Sequence, residues 1–364
     1  MGKRILTWGW FGFHNLGDDL LLYTFIENIK TKCPDVSLSV AMHEKYDIDS
    51  NIIQVNRSYK TLFSADNYNA LVIGPGGIFP DNKTTKLLLY LMVLIYWKIR
   101  HKQVLFFGIG ISDKMSKLQR LLWRRMVKLS DVFMPRSETA MTAIGVQKTK
   151  LKHSMPDSVF AMRIPTKESI SAEQRIGIAV ANLTGNDFDS ADYQRQITIW
   201  SDVITSCIDL GKDVDLIAFT EKNDDVLIDA LKMKHNQVRC IHYSEIEKAI
   251  EHWSEYEAVI AMRFHSVVLS IVSGTPFVPI AYGHKTVNLS NVVGMEDYLL
   301  KWSLKNGYFK DQNIMKASDI IDSFTHVLAE KESIASKLQK AITSLRQSAD
   351  NSYSEFCTYL KNER

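Results

Sequence analysis

Short apolar runs alternate along this chain with longer amphipathic stretches. Residues 5–8, 37–41, 70–73, 103–108 and 132–134 form the first set of runs and predict strands. Residues 19–30, 85–100 and 116–129 lie between or after them and predict helices. A strand-then-helix rhythm implies right-handed crossovers and a mainly parallel sheet. A polar segment at 162–174, which contains Pro165, interrupts the rhythm and reads as a linker. The pattern then restarts, with strands expected at 175–181, 214–219, 238–242, 258–261 and 277–281, and helices at 193–210, 224–234, 244–254 and 265–273. From Ala317 onward the chain reads as helical and is rich in Lys, Glu and Ser. The expected architecture is α/β: two Rossmann-like doubly wound domains, 1–165 and 174–364, with a central cleft and C-terminal helices that pack back on the first domain.

Several predicted strands end in glycine: Gly9 and Gly12, then Gly74, Gly76 and Gly77, then Gly108 and Gly110. Glycine at a strand's carboxyl end lets backbone approach a ligand, and that is where open α/β sheets place their sites. The most apolar stretch, residues 87–97 (LLLYLMVLIYW), is too short to span a bilayer as a helix. Lys98, Arg100, His101 and Lys102 follow it. A buried helix is the favoured reading over a membrane-surface patch.

Composition narrows the class. The chain has 364 residues, 46% of them hydrophobic and 23% charged, which is ordinary for a soluble globular protein. With 44 Lys and Arg against 41 Asp and Glu, the net charge of +3 is too small to indicate nucleic acid by itself, since that usually needs a basic stripe. Cys33, Cys207, Cys240 and Cys357 are far apart and form no C-x-x-C pair for zinc or redox work. Scattered thiols fit a reducing cytoplasm, and MGKRILTWGW lacks the apolar core of a signal peptide.

Four clusters at predicted strand ends carry candidate chemistry. In the first, residues 9–19 (GWFGFHNLGDD), Asn15 and Asp18 either cap the next helix or help its N-terminus face an anion. The second, Gly74-Pro75-Gly76-Gly77, has the make-up of an anion-binding nest or of an ordinary tight turn. In the third, Arg136 either binds carboxylate or phosphate or forms a surface salt bridge with Glu138; Asp157 has the same ambiguity. The fourth is the strongest. Arg263 and His265 fall between a very apolar strand and a very apolar helix, and Lys285 follows the next strand. Two cations and a titratable imidazole at adjacent strand ends describe a site for an anionic substrate.

Taken together, these motifs resemble the polysaccharide pyruvyl transferase family. The resemblance rests on the turn from Gly9 to Asp19, the glycine cluster Gly74–Gly77, Met134-Pro135-Arg136-Ser137, Met262-Arg263-Phe264-His265, and the ending Gly274-Thr275-Pro276 with Tyr282-Gly283-His284-Lys285. Phe264 stands where leucine is usual, Ser137 where aspartate is common, and Asp19 where glutamate is usual. The resemblance implies a GT-B-like fold, phosphoenolpyruvate as co-substrate, no cofactor or metal, and a cyclic pyruvate ketal as product. It implies donor binding by Arg136, Arg263, Lys285, Gly76 and Gly77. His265 becomes the acid/base group with Asp18 or Asp157 as partner, and Asn15, His14 and His284 face the acceptor. The implied acceptor is a hexose, galactose as its 4,6-ketal, in a capsular or cell-wall glycan precursor on a polyprenyl diphosphate carrier. That places the protein in the cytoplasm, peripheral at the inner membrane face. The main alternative is a GT-B sugar-nucleotide glycosyltransferase, for which Asp224 or Asp225 would hold the ribose; a glycan binder without turnover is the third reading.

Overall fold

A computed structural model describes residues 2–45, 52–79, 83–112, 114–163, 174–185, 187, 190–243, 246–303, 309 and 315–361. Most of the expected linker at 162–174 lies outside these residues. The chain divides into two compact units. The first comprises Met1–His14, Asp18–Met162 and Leu345–Arg364; the second comprises Asn15–Gly17 and Arg163–Ser344.

In the first unit the elements run β1 (Arg4–Phe11), α1 (Leu16–Lys32), β2 (Ser37–Met42), β3 (Ile53–Asn56), α2 (Tyr59–Leu62), β4 (Ala70–Ile73), β5 (Gly76–Phe79), α3 (Thr84–Ile99), β6 (Gln103–Ile111), α4 (Lys117–Leu129), β7 (Val132–Pro135) and α5 (Glu138–Ile144). Every strand pairing is parallel. The order is β3-β2-β1-β4-β6, with β5 and β7 also on β6. Ala70–Ile73 pairs with the first half of β6 and Gly76–Phe79 with its end, so β4 and β5 line β6 in succession. The order reverses beside β1, and ligands of such sheets bind at that switch point.

The second unit repeats the plan. Its elements are β8 (Arg175–Ala179), α6 (Ala191–Asp209), β9 (Asp213–Ala218), α7 (Asp224–Lys234), β10 (Arg239–His242), α8 (Ile246–Glu255), β11 (Ala258–Ala261), α9 (Phe264–Ser273), β12 (Phe277–Ala281), α10 (His284–Val293), β13 (Leu300–Lys301), α11 (Ala317–Ala329) and α12 (Lys331–Lys361). The sheet order is β10-β9-β8-β11-β12-β13, again parallel, with its reversal between β8 and β11. Residues of α12 from Leu345 group with the first unit.

Local signals explain the element ends. Ser116 and Gln119 form a reciprocal capping box that starts α4, and Ser137 caps α5 through the Ala140 amide. Gly145, Gly274 and Gly294 close α5, α9 and α10 in the left-handed conformation, where a side chain would be strained. The core of the first unit sets aromatic rings among a larger number of aliphatic side chains. Phe79 and Phe106 both meet Trp123 at an angle, and Trp8 donates its indole N–H to the Tyr90 hydroxyl at 2.7 Å.

The structure corrects two sequence expectations about elements. Gly76 and Gly77 open strand β5 instead of forming a strand-to-helix turn, because Gly76 continues the pairing with Ile109 of β6. Residues 87–97 do not form a wholly buried helix. In α3, Leu87, Tyr90, Val93, Leu94 and Trp97 face the core, whereas Leu88, Met92, Ile95 and Ile99 are exposed.

Candidate active site

In the second unit the site grows from the junction of β11 and α9. Met262 is buried, and Arg263 is the N-cap residue of α9. Its guanidinium turns onto Asp224, the first residue of α7, with Nε 3.0 Å from Oδ2 and Nη2 on Oδ1. Asp224 is fully buried. Its carboxylate also accepts the amides of Thr220 at 3.0 Å, Phe219 at 3.2 Å and Asn182 at 3.2 Å. Burial works against the arginine's charge, but Asp224 and Tyr282 outweigh it and hold the pKa above the ordinary value. A permanent cation is thus fixed at the switch point of this sheet.

His265 lies two residues on, in the first turn of α9, with its ring 5.3 Å from that of Phe264. Gly17 packs directly against it: a Cβ at residue 17 would collide with Nδ1 of the imidazole. Residues Asn15–Gly17, which group with this unit, are pinned at the end of β9. Leu16 donates its amide to the Phe219 carbonyl at 2.9 Å, and Asn15 bridges Thr220. The Asn15 side chain accepts the Gly17 amide at 3.0 Å and reaches Thr220 Oγ1 at 3.4 Å. Asn15 therefore supports the start of α1, while Asp18 and Asp19 lie within its first turn instead of preceding it.

Tyr282 and Gly283 link β12 to α10, which starts with His284 and Lys285, both exposed. The His284 ring lies 6.0 Å from that of Phe309. The N-cap residues of α9 and α10, Arg263 and Gly283, make no side-chain cap hydrogen bond.

The first unit holds its own group. Arg136, just past β7, forms an ion pair with Asp157, and both side chains are nearly covered, at 9% and 4% exposure. Asp157 also accepts the Val159 amide at 3.1 Å, which caps the short turn Ser158–Ala161. Glu138 pairs instead with Lys148 and Ser154, so the surface salt bridge Arg136–Glu138 does not form. Gly76 has a φ of 122°, and a Cβ there would lie 3.3 Å from Asp18 Oδ1. A Cβ on Gly108 would lie 3.2 Å from Pro75 and 3.7 Å from the Ser158 hydroxyl. These contacts bring Asp18, the Gly74–Gly77 segment and the Asp157 turn to neighbouring strand ends of one sheet. Around the loop after β1, His14 pairs with Glu44 at 2.8 Å, and Phe13 is stacked between Trp10 and His43.

Residues 15–284, about three quarters of the chain, match the family model for polysaccharide pyruvyl transferases. The chain belongs to the polysaccharide pyruvyl transferase family. No curated protein matches this member of the family. Solved structures similar to it include Os79 from O. sativa in complex with UDP, at 9% identity and TM-score 0.61 over 98% of this chain and 100% of that one. UDP-GlcNAc 2-epimerase from Neisseria meningitidis bound to UDP-GlcNAc is similar at 14% identity and TM-score 0.60, over 99% and 100%. A glycosyltransferase from Rickettsia africae follows at 10% identity and TM-score 0.59, over 100% of both chains. At such identities the likeness speaks for fold, which is that of the GT-B glycosyltransferases and epimerases.

Asp224 and Asp225 are ribose candidates only under the sugar-nucleotide alternative, and the structure gives Asp224 another role. As a ribose carboxylate it would need open lone pairs, yet both oxygens are engaged by Arg263 and backbone amides. Asp225 accepts the Lys222 amide at 3.0 Å and meets His242 at 3.2 Å. Gly17 was missed as a support for His265, since the sequence shows only a turn glycine there.

Proposed function

We propose that this pyruvyl transferase uses phosphoenolpyruvate as donor and forms a 4,6-ketal on a hexose, galactose, of a lipid-linked capsular or cell-wall glycan precursor. The observation that carries this reading is the pair Arg263 and His265 at the start of α9, with the arginine locked by a buried carboxylate. Phosphoenolpyruvate brings a carboxylate and a phosphate, and planar guanidinium forks suit both. Arg263, Lys285 and Arg136 are assigned to these anions, with Gly76 and Gly77 allowing close backbone approach. Asp157 contributes by holding Arg136 in place.

In the reaction, His265 moves the protons. The donor methylene takes a proton, which leaves an oxocarbenium-like carbon, and one acceptor hydroxyl adds to it and gives up its proton. Phosphate then departs with the C–O bond electrons, and the second hydroxyl closes the ketal as its proton passes to base. Asp18, which directly follows Gly17 in the chain, assists. His14, Asn15 and His284 are assigned to the acceptor. No step calls on a cofactor.

The direct test is phosphate release from phosphoenolpyruvate with synthetic galactosides, glucosides and N-acetylmannosaminides, with mass spectrometry on the acceptor. Galactoside-dependent release with a pyruvate ketal mass gain is expected. Thermal protection by a UDP-sugar, with none by phosphoenolpyruvate, would overturn the donor. A second expectation concerns Gly17→Ala. Alanine favours a helix over glycine by about 1 kcal/mol, so melting should not fall through helix propensity. Displacing the imidazole should nevertheless lower kcat about 10²-fold. An unchanged kcat in that variant would dissociate His265 placement from turnover.

A further inference from the structure

We propose that the outer face of α3 and α4 docks on an anionic lipid surface. On α3, Leu88, Met92, Ile95 and Ile99 follow one another at spacings of four, three and four residues, so they share one face of the helix. That face is turned to solvent, with Met92 56% and Ile99 69% exposed. The opposite face of the same helix supplies Trp97 and Val93 to the core, so the core is filled from that side while the outer row stays partly open to solvent. Isolated exposed apolar residues are commonplace, but a row of four along one helix forms a continuous patch.

Helix α4 packs beside α3 and has exposed apolar residues of its own. Its Leu118 and Leu121 are exposed at 53% and 49%. The same helix carries Lys117, Arg120, Arg124, Arg125 and Lys128 and no acidic residue. All five are exposed. An apolar strip flanked by cations is the arrangement with which a protein lies in the interface of a membrane that bears negative headgroups. Among the described residues no helix is long and apolar enough to cross a bilayer, so the contact is one of lying on the surface.

Charge also selects this occupant over a second copy of the chain. Two-fold pairing would set the patch against itself and oppose one set of five cations with another. Anionic headgroups neutralise them instead. The inference goes beyond pyruvyl transfer and is read without donor or acceptor, so its failure and that of the proposed reaction are distinguishable.

The test is co-sedimentation of the full chain with phosphatidylcholine vesicles, with and without phosphatidylglycerol. Binding is expected only with phosphatidylglycerol and should weaken as salt is raised. Arg120→Glu with Arg125→Glu should lower the partition coefficient at least about thirtyfold. Ile95→Ser with Ile99→Ser should lower it about tenfold or more. Both variants should melt as the parent does, since these side chains are exposed. No binding of the parent to anionic vesicles would overturn the proposal. So would equal binding by the variants, or vesicle-free dimerisation that the Ile95/Ile99 variant abolishes, which would give the face to a second copy.

Discussion

His265→Ala should lower kcat by about 10²–10⁴-fold, the range that a positioned acid/base group supplies. Binding of phosphoenolpyruvate, followed by thermal shift or calorimetry, should change far less, because the cations proposed to hold it, Arg136, Arg263 and Lys285, remain. Phosphate release in single turnover with an acceptor present is the measurement. The separation between kcat and donor affinity is the informative part, since a merely structural histidine would weaken both along with the melting temperature. Near-normal turnover in His265→Ala would remove the acid/base assignment. Gly17 provides the companion control: its variant keeps the imidazole but shifts it, so the two variants ask separately whether the group and its position matter.

The second large effect is expected at the Arg263–Asp224 pair. Removing one partner of a buried ion pair leaves an uncompensated charge and costs about 3–5 kcal/mol. Arg263→Ala strands Asp224, whose side chain is wholly buried. Asp224→Ala strands the guanidinium and also releases three backbone amides at the ends of β8 and β9. Urea unfolding should register both losses, and the double variant should cost less than the sum of the two. Activity separates the roles. Arg263→Lys keeps a charge but loses the planar fork, so it should raise KM for the donor more than it lowers stability. Additive losses in the double variant would show that the pair acts as two independent groups.

Much of the fold is legible in the sequence because its signals are local. Strands such as β4 and β11 are short apolar runs, and helices such as α4 carry their cap and period within a dozen residues. The parallel doubly wound plan follows from that alternation, and the family from the order of short motifs such as Met262–His265. Strands β3 and β5 were not legible. Ile53–Asn56 is short and only partly buried, and Gly76–Phe79 begins with two glycines that read as a turn until β6 is present to pair with them.

The candidate site divides the same way. That Arg263, His265 and Lys285 belong near strand ends follows from sequence, since each sits one to four residues beyond an apolar run. Their partners do not follow. Arg263 meets Asp224 across 39 residues, and Arg136 meets Asp157 across 21. Each choice depends on which loops the sheet order sets side by side. From sequence, Asp224 is therefore only a ribose candidate under the sugar-nucleotide alternative, and Glu138 only the alternative partner of Arg136, both chemically sensible for isolated side chains.

The sequence by itself determined the succession of elements, the doubly wound class and the residue types at the strand ends, because backbone preference and apolar period act over neighbouring residues. Only the tertiary structure decided which carboxylate neutralises which arginine, that Gly17 seats His265, and which side of α3 is left uncovered. The last has a simple physical reason. A run as uniformly apolar as residues 87–97 has no polar face to mark its outside, so the packing of its neighbours alone chooses the face that meets solvent.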